Sequence, residues 1–221
     1  MRPYESVILL GSLCQVAFQL KEHDIKYVDG PFEWTVTTLE SVLKILRDEG
    51  RSFAKNVTVT PDAQSVSCNQ YGMLYHHDFP RGSGPKPLVE PITPEAQAEV
   101  ASKFAHKMRS FTEKSRSTGR KVFIRLGGEA TQLRAWPYNT DPTPTKISRL
   151  NELASSLESF CGNDNFDLAL LYFPNYTRIV RDAELDPKVR LFPLPHPEGS
   201  NYRGYPAAWR PVLVELGLVN T

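Results

Sequence analysis

The sequence lacks long hydrophobic runs and an excess of charge of either sign. Its first apolar stretch, Val7 to Leu10, is soon followed by Gln15, Gln19 and Lys21, so it is too short for a signal peptide or a membrane span. The 26 Lys and Arg residues nearly balance the 25 Asp and Glu residues, and the net charge of +1 gives no electrostatic reason to bind nucleic acid or an anionic membrane. We expect a cytoplasmic protein that binds a small-molecule or peptide-like substrate, and the composition leaves its oligomeric state open.

Cysteine is scarce, and its spacing excludes two common uses. Cys14, Cys68 and Cys161 are odd in number and contain no CxxC pair, which argues against a disulfide framework and against a zinc site. The chain also lacks the GxGxxG, Walker A, GxSxG and HExxH motifs of nucleotide-binding proteins, serine hydrolases and zinc peptidases. We therefore expect reduced thiols, no metal and no resident cofactor.

Hydrophobic periodicity predicts alternating strands and helices. The apolar run Ser6 to Leu10 is predicted to be a central strand, and after the turn at Gly11-Ser12 a helix is predicted from Leu13. Further strands are predicted at 56–60, 72–79, 121–126, 166–173 and 189–194, and further helices at 38–46, 93–115, 147–160 and 207–216. The charges of the 93–115 helix are expected to face solvent.

This element order predicts one α/β domain over residues 1–221. Its largely parallel sheet would have helices on both faces, in a Rossmann-like or flavodoxin-like arrangement of three layers. In such sheets the active site lies at the carboxyl edge of the strands. Residues 80–94 include five prolines and are predicted to form a long loop.

Cys14 is the main candidate for chemistry, because it lies where the first strand turns into a helix. Unpaired backbone N–H groups and the helix dipole would favour a nucleophilic thiolate there. The amide groups of the same turn, formed by Gly11, Ser12 and Leu13, could bind a substrate oxyanion. The alternative is a buried cysteine that only packs, and position alone does not choose between the two.

A nucleophilic cysteine needs a base, and the chain offers several histidines. His76 and His77 end a predicted strand, so their side chains would point to opposite faces. His196 follows the last predicted strand and would lie at the same sheet edge as Cys14.

Two charged residues are candidates for supporting roles. Glu33 lies between Phe32 and Trp34, where burial would raise its pKa, and it could orient a histidine or be satisfied by backbone amides. Arg125 precedes Gly127-Gly128 at the end of a strand and could bind an anionic part of the substrate, although a surface ion pair explains it equally well.

Three motifs, in this order, resemble those of a bacterial family of unknown function described as papain-like cysteine peptidases. They are the Leu-Gly-x-x-Cys-x-x-Ala-x-x-Leu pattern at residues 10–20, Gly-Pro-Phe-Glu-Trp at residues 30–34, and His-Asp-Phe at residues 77–79. The segments 103–109 and 122–125 are similar to the family's basic helix and Arg-ended strand. The resemblance covers about the first 130 residues.

The resemblance implies roles for four residues. Cys14 would be the nucleophile and His77 its base, and Asp78 matches a family position of uncertain role. Glu33 stands where the family usually has Asp and is the preferred third member of the site. Leu13, where the family frequently has Asn, is a second departure from the pattern.

Other functions remain open at this stage. A similar opening occurs in capsule-polysaccharide enzymes associated with coenzyme A, so the same thiol could transfer an acyl group from a coenzyme A or carrier-bound donor. A non-catalytic binding domain would use the 80–94 loop to recognise a partner. A hydrolase of the SGNH type would use Ser12 as nucleophile and His196 as base.

Overall fold

The computed structural model describes residues 3–82, 88, 91–129, 143–195 and 203–220. The strands are β1 (Ser6–Leu9), β2 (Thr35–Val36), β3 (Val57–Val59), β4 (Val66–Cys68), β5 (Met73–Tyr75), β6 (Lys121–Leu126), β7 (Thr143–Lys146), β8 (Phe166–Tyr172), β9 (Thr177–Val180) and β10 (Val189–Pro193). The helices are α1 (Gln15–Glu22), α2 (Leu39–Asp48), α3 (Pro94–Arg116), α4 (Ile147–Cys161) and α5 (Pro206–Glu215). None of these helices is both long and apolar enough to cross a membrane.

A parallel sheet forms the centre of the fold, with the strand order β1, β6, β8, β10. Its side chains alternate between two apolar clusters: Ile8 and Phe123 pack with residues of α3 and α4, whereas Leu9 and Ile124 pack with α1 and α5. Helices therefore cover both faces, and the predicted α/β class with a parallel sheet is confirmed.

The position of β1 differs from the prediction of a central strand. Within the described residues β1 lies at an edge of the sheet, next to β6. The segment after α1 covers its outer side, where the Val28 N–H donates a hydrogen bond of 2.9 Å to the Val7 carbonyl. This cover explains why all four residues of β1 are buried and why its sequence is typical of an inner strand.

A second, antiparallel sheet contains two strands that were predicted, β3 within 56–60 and β5 within 72–79, and two that were not, β2 and β4. It has the order β2, β5, β4, β3, and a separate parallel pair joins β7 to β9. β2 and β4 have two and three residues, too few to show a period of two in the sequence. Tyr75 of β5 packs edge-on against Phe104 of α3, with ring centroids 4.8 Å apart, and this contact fixes the end of β5 against the helix.

The predicted loop at 80–94 lies partly outside the described residues, which here are 80–82, 88 and 91–94. Arg81 and Leu88 form an antiparallel bridge, and the Leu88 N–H donates to the Ala63 carbonyl at 3.0 Å. Thr93 caps α3 by accepting a hydrogen bond of 3.2 Å from the Ala96 N–H, as the Thr-Pro sequence predicts.

Candidate active site

The turn at the carboxyl end of β1 holds the candidate nucleophile. The Gly11 carbonyl accepts from the Leu126 N–H at 3.0 Å, and the Ser12 carbonyl accepts from the Thr37 N–H at 3.0 Å. Since β1 and β6 are parallel neighbours, these bonds place the turn at the carboxyl edge of the sheet. Leu13 is half-buried in the same turn.

Cys14 is the N-cap residue of α1. Its backbone is already helical, with φ −64° and ψ −12°, and its thiol makes no capping hydrogen bond. Burial raises the pKa of the Cys14 thiol, and a hydrogen bond from the backbone offsets only part of this effect. This shift does not support the expected thiolate at the helix N-terminus, because desolvation of the half-buried sulfur is its largest cause.

Ser12, the alternative nucleophile, is 5% exposed. Among the described residues, no hydrogen bond joins its hydroxyl to a histidine. Its proposed base, His196, lies outside the described residues.

The two adjacent histidines follow β5 in a bent segment. The strand ends at Tyr75, four residues before the predicted end at residue 79. The rings of His76 and His77 are therefore in contact, with centroids 4.7 Å apart and an interplanar angle of 83°. The expectation that they point to opposite faces is wrong, because it depends on an extended backbone at 76–78.

His77 and Asp78 line a cavity of about 460 Å³ between α1 and α3. Its wall also contains Phe18 of α1 and Trp34, whose rings pack edge-on with centroids 5.0 Å apart. Cys14 precedes Phe18 by one helical turn, and the Phe18 N–H donates to the Cys14 carbonyl at 3.1 Å. Cys14 itself is not part of the described cavity wall, and it lies one helical turn before Phe18 at the N-terminus of α1.

A larger cavity of about 720 Å³ lies between the end of α2 and α3. No cysteine or histidine contributes to its described wall. The smaller cavity is therefore the better candidate for thiol chemistry.

Glu33 is 3% exposed and takes part in an ion pair rather than in a contact with histidine. One carboxylate oxygen accepts from the Gly30 N–H, and the other lies 3.2 Å from Nζ of Lys107. Lys107 also pairs with Asp29. Burial raises the pKa of Glu33 to about 7, although the Gly30 N–H and Lys107 oppose this shift.

Among the described residues no hydrogen bond links Glu33 to His77. The prediction that Glu33 orients the histidine is therefore corrected: its contacts tie the segment 29–33 to α3. The sequence left two interpretations open for Glu33: a carboxylate that orients a histidine, and a carboxylate that is satisfied by a backbone amide. These contacts favour the second.

Asp78 forms an ion pair with Lys103, whose Nζ lies 2.7 Å from Oδ1. Its side chain is 4% exposed, and its Oδ2 has no hydrogen-bond partner within the described part of the chain. Lys103 and Lys107 are four residues apart on α3, both line the cavity, and they pair with Asp78 and Glu33 respectively. The expectation that the charges of this helix face solvent is wrong for Lys107, which is only 13% exposed.

Arg125 is fully buried, which contradicts its predicted contact with a substrate anion. Its guanidinium donates to three backbone carbonyls, those of Leu10 at 2.7 Å, Thr37 at 3.0 Å and Gly128 at 3.3 Å. These bonds join the ends of β1 and β6 to the start of α2. Arg125 thus holds the carboxyl edge together from inside the protein.

The structure places His77 and Asp78 in one cavity wall and Cys14 one helical turn before Phe18 of the same wall, and it does not connect the thiol to a base. Among the described residues no hydrogen bond joins the Cys14 sulfur to a histidine. The sequence motifs contain Phe18, Trp34 and both lysines, but sequence reasoning gave none of them a role in the site. The spacing of four between Lys103 and Lys107 was the available signal for a shared helix face.

A family model described as "Putative papain-like cysteine peptidase" matches residues 5–135, which is more than half of the chain. The match includes α1, both histidines of the bent segment and α3. Neither a curated protein nor a solved structure matches the chain.

Proposed function

We propose, from the premise that this chain belongs to the papain-like cysteine peptidase family, that it hydrolyses an acyl compound by thiol chemistry with Cys14 as nucleophile and His77 as base. One observation carries the assignment of residues. Phe18 and His77 line the same cavity, and Cys14 precedes Phe18 by one turn of α1. The proposal places the acyl group in this cavity beside His77, where the Cys14 thiol would reach it from the start of α1.

The raised pKa of Cys14 decides the form of the first step. The resting thiol keeps its proton at neutral pH, and His77 removes it as Sγ attacks the carbonyl carbon. A C–S bond forms, and the carbonyl electron pair moves to the oxygen. The bond to the leaving group then breaks, and that group takes the proton from His77.

Water resolves the acyl-enzyme in the second half of the reaction. His77 accepts a proton from the attacking water, the C–S bond breaks, and the Cys14 sulfur regains the proton. The carboxylic acid is released. The Gly11 to Cys14 turn is the proposed site for the oxyanion in both halves.

Turnover of simple acyl compounds tests this function. We would assay p-nitrophenyl acetate, an acetyl thioester and a labelled casein with the full chain and with Cys14→Ala and His77→Gln. Hydrolysis of at least one substrate should fall to background in both variants. Cys161→Ala removes a buried thiol outside the cavity wall and should keep the activity.

Adding coenzyme A or an amine separates hydrolysis from transfer. If the acyl group appears on the added acceptor faster than on water, the thiol chemistry stands and the proposal of hydrolysis fails. Activity that survives Cys14→Ala would overturn the thiol mechanism itself.

A further inference from the structure

A second histidine connects the proposed base to the turn between β3 and β4. Nδ1 of His76 and Oγ of Ser65 are joined by a hydrogen bond of 2.9 Å. The His76 ring also packs edge-on against the His77 ring. Among the described residues no hydrogen bond holds the exposed His77 ring, and the His76 ring is in contact with it.

The Ser65 hydroxyl is fixed by the turn that carries it. Ser65 is 6% exposed, and its N–H donates to Oγ1 of Thr60 at 3.0 Å. The Thr60 N–H in turn donates to the Ser65 carbonyl at 2.9 Å, and the Thr60 hydroxyl donates to Asp62 at 2.6 Å. A turn closed by three hydrogen bonds leaves the hydroxyl little freedom.

The backbone on either side of the two histidines is also fixed. Arg81 donates a hydrogen bond of 2.8 Å to the His76 carbonyl. Tyr75 and Phe79, both buried, pack edge-on with ring centroids 5.6 Å apart and anchor the two ends of the bent segment. His77 is therefore an exposed side chain on a rigid support.

We propose that His76, held by Ser65, is a positioning residue for the His77 imidazole. The proposal rests on the proposed function, in which His77 is the base. An exposed imidazole has several rotamers of similar energy, and ring contact with a fixed neighbour reduces their number. A base that starts in the reactive orientation does not have to be ordered in the transition state.

The charge state of His76 suits this role. Burial lowers the pKa of His76, and the positive charges of His77 and Arg81 act in the same direction, whereas Asp62 opposes them. His76 is thus neutral at neutral pH. A neutral ring can remain in contact with His77 when that residue takes a proton, whereas two adjacent imidazolium ions would repel each other.

Pre-steady-state acylation by p-nitrophenyl acetate tests the proposal. We would measure the acylation rate constant and the apparent dissociation constant between pH 5 and 9 in the unaltered chain and in Ser65→Ala, Ser65→Thr and His76→Phe. Ser67→Ala, two residues further along in strand β4, is the matched control for loss of a hydroxyl. His77→Gln reports on the proposed base itself.

Ser65→Ala should lower the rate constant between about 10-fold and 100-fold and leave the dissociation constant unchanged. Ser65→Thr should restore the rate. His76→Phe should lower it as well, because a phenyl ring cannot accept the Ser65 hydrogen bond, and Ser67→Ala should have no effect.

The two proposals fail in different ways. If His77→Gln loses acylation while Ser65→Ala and His76→Phe keep it, the positioning role is overturned and the base remains. If His77→Gln keeps acylation, the proposed base is wrong, and the positioning role falls with it. Where Ser65→Ala does not fold, the imidazole NMR spectrum of His76→Phe is decisive: an unchanged His77 signal would contradict the contact that we propose.

Discussion

A β-carbon on Gly11 would lie only 2.2 Å from Oγ1 of Thr37. Gly11 also has a φ of +75°, which residues with a side chain rarely adopt. Its carbonyl is bonded to β6, so the turn cannot move away without breaking the carboxyl edge. The approach between Gly11 and Thr37 therefore sets the path of the chain just before Cys14.

Gly11→Ala tests this constraint, and Gly162→Ala is its control. Gly162 has a similar φ of +70°, but a β-carbon there would have nothing within 4 Å. Both variants carry the backbone strain of a left-handed residue, about 1 kcal/mol. Gly11→Ala adds a clash and should lower the free energy of unfolding in urea by ~1–3 kcal/mol more than Gly162→Ala does. Equal losses of unfolding free energy in the two variants would show that the Thr37 side chain moves away at no cost, and would contradict this constraint.

Glu33 should make stability fall as pH rises. Its pKa is raised from an ordinary 4.5 to about 7, so between these values the folded chain binds more protons than the unfolded chain. The stabilisation is complete below pH 4.5 and is lost as pH rises to about 7. Compared with Glu33→Gln, the unaltered chain should lose ~2 kcal/mol of unfolding free energy from pH 5 to pH 8.

Urea titrations of both proteins at several pH values measure this difference. Glu33→Asp is a useful second variant, because it keeps the titrating group and shortens its reach to Lys107. A pH dependence that is the same in the unaltered chain and in Glu33→Gln would contradict the raised pKa.

Cys14 should react with iodoacetamide as a thiol of raised pKa. Because burial raises that pKa, the midpoint of the alkylation rate should lie above the ordinary thiol value of about 8.5. Peptide mapping by mass spectrometry separates the three thiols. Cys68 and Cys161 are buried and should be labelled only after denaturation. A Cys14 midpoint well below 8.5 would instead favour a resting thiolate paired with a histidine.

The long elements could be predicted from the sequence, because their patterns are strong. The bounds of β6 agree with the prediction, and those of α4 and β8 agree within one residue. Of the antiparallel sheet, β3 and β5 were predicted as longer strands, whereas β2 and β4 have only two and three residues and were missed. The early end of β5 had the largest consequence, because it changes where His76 and His77 point.

The site could be predicted only in part, and the reasons are physical. Cys14 at a strand-to-helix turn is a local feature, and local features are visible in a sequence. The pairing of Glu33 with Lys107 joins residues 74 positions apart and depends on how α3 crosses the sheet. The prediction for Arg125 was wrong for a different reason. An arginine near the end of a strand usually faces solvent, and the burial of Arg125 depends on three backbone carbonyls that accept hydrogen bonds from its guanidinium.

The central claim is that Cys14 carries an acyl group and that His77 helps to place it there. Intact-mass and peptide-mapping spectrometry after a brief mixing with p-nitrophenyl acetate measures this directly. We expect a single acetyl group on Cys14, its loss with time as water resolves the thioester, and acylation slower by about 100-fold or more in His77→Gln. An acetyl group on another residue, or equal acylation of Cys14 in His77→Gln, would contradict the account.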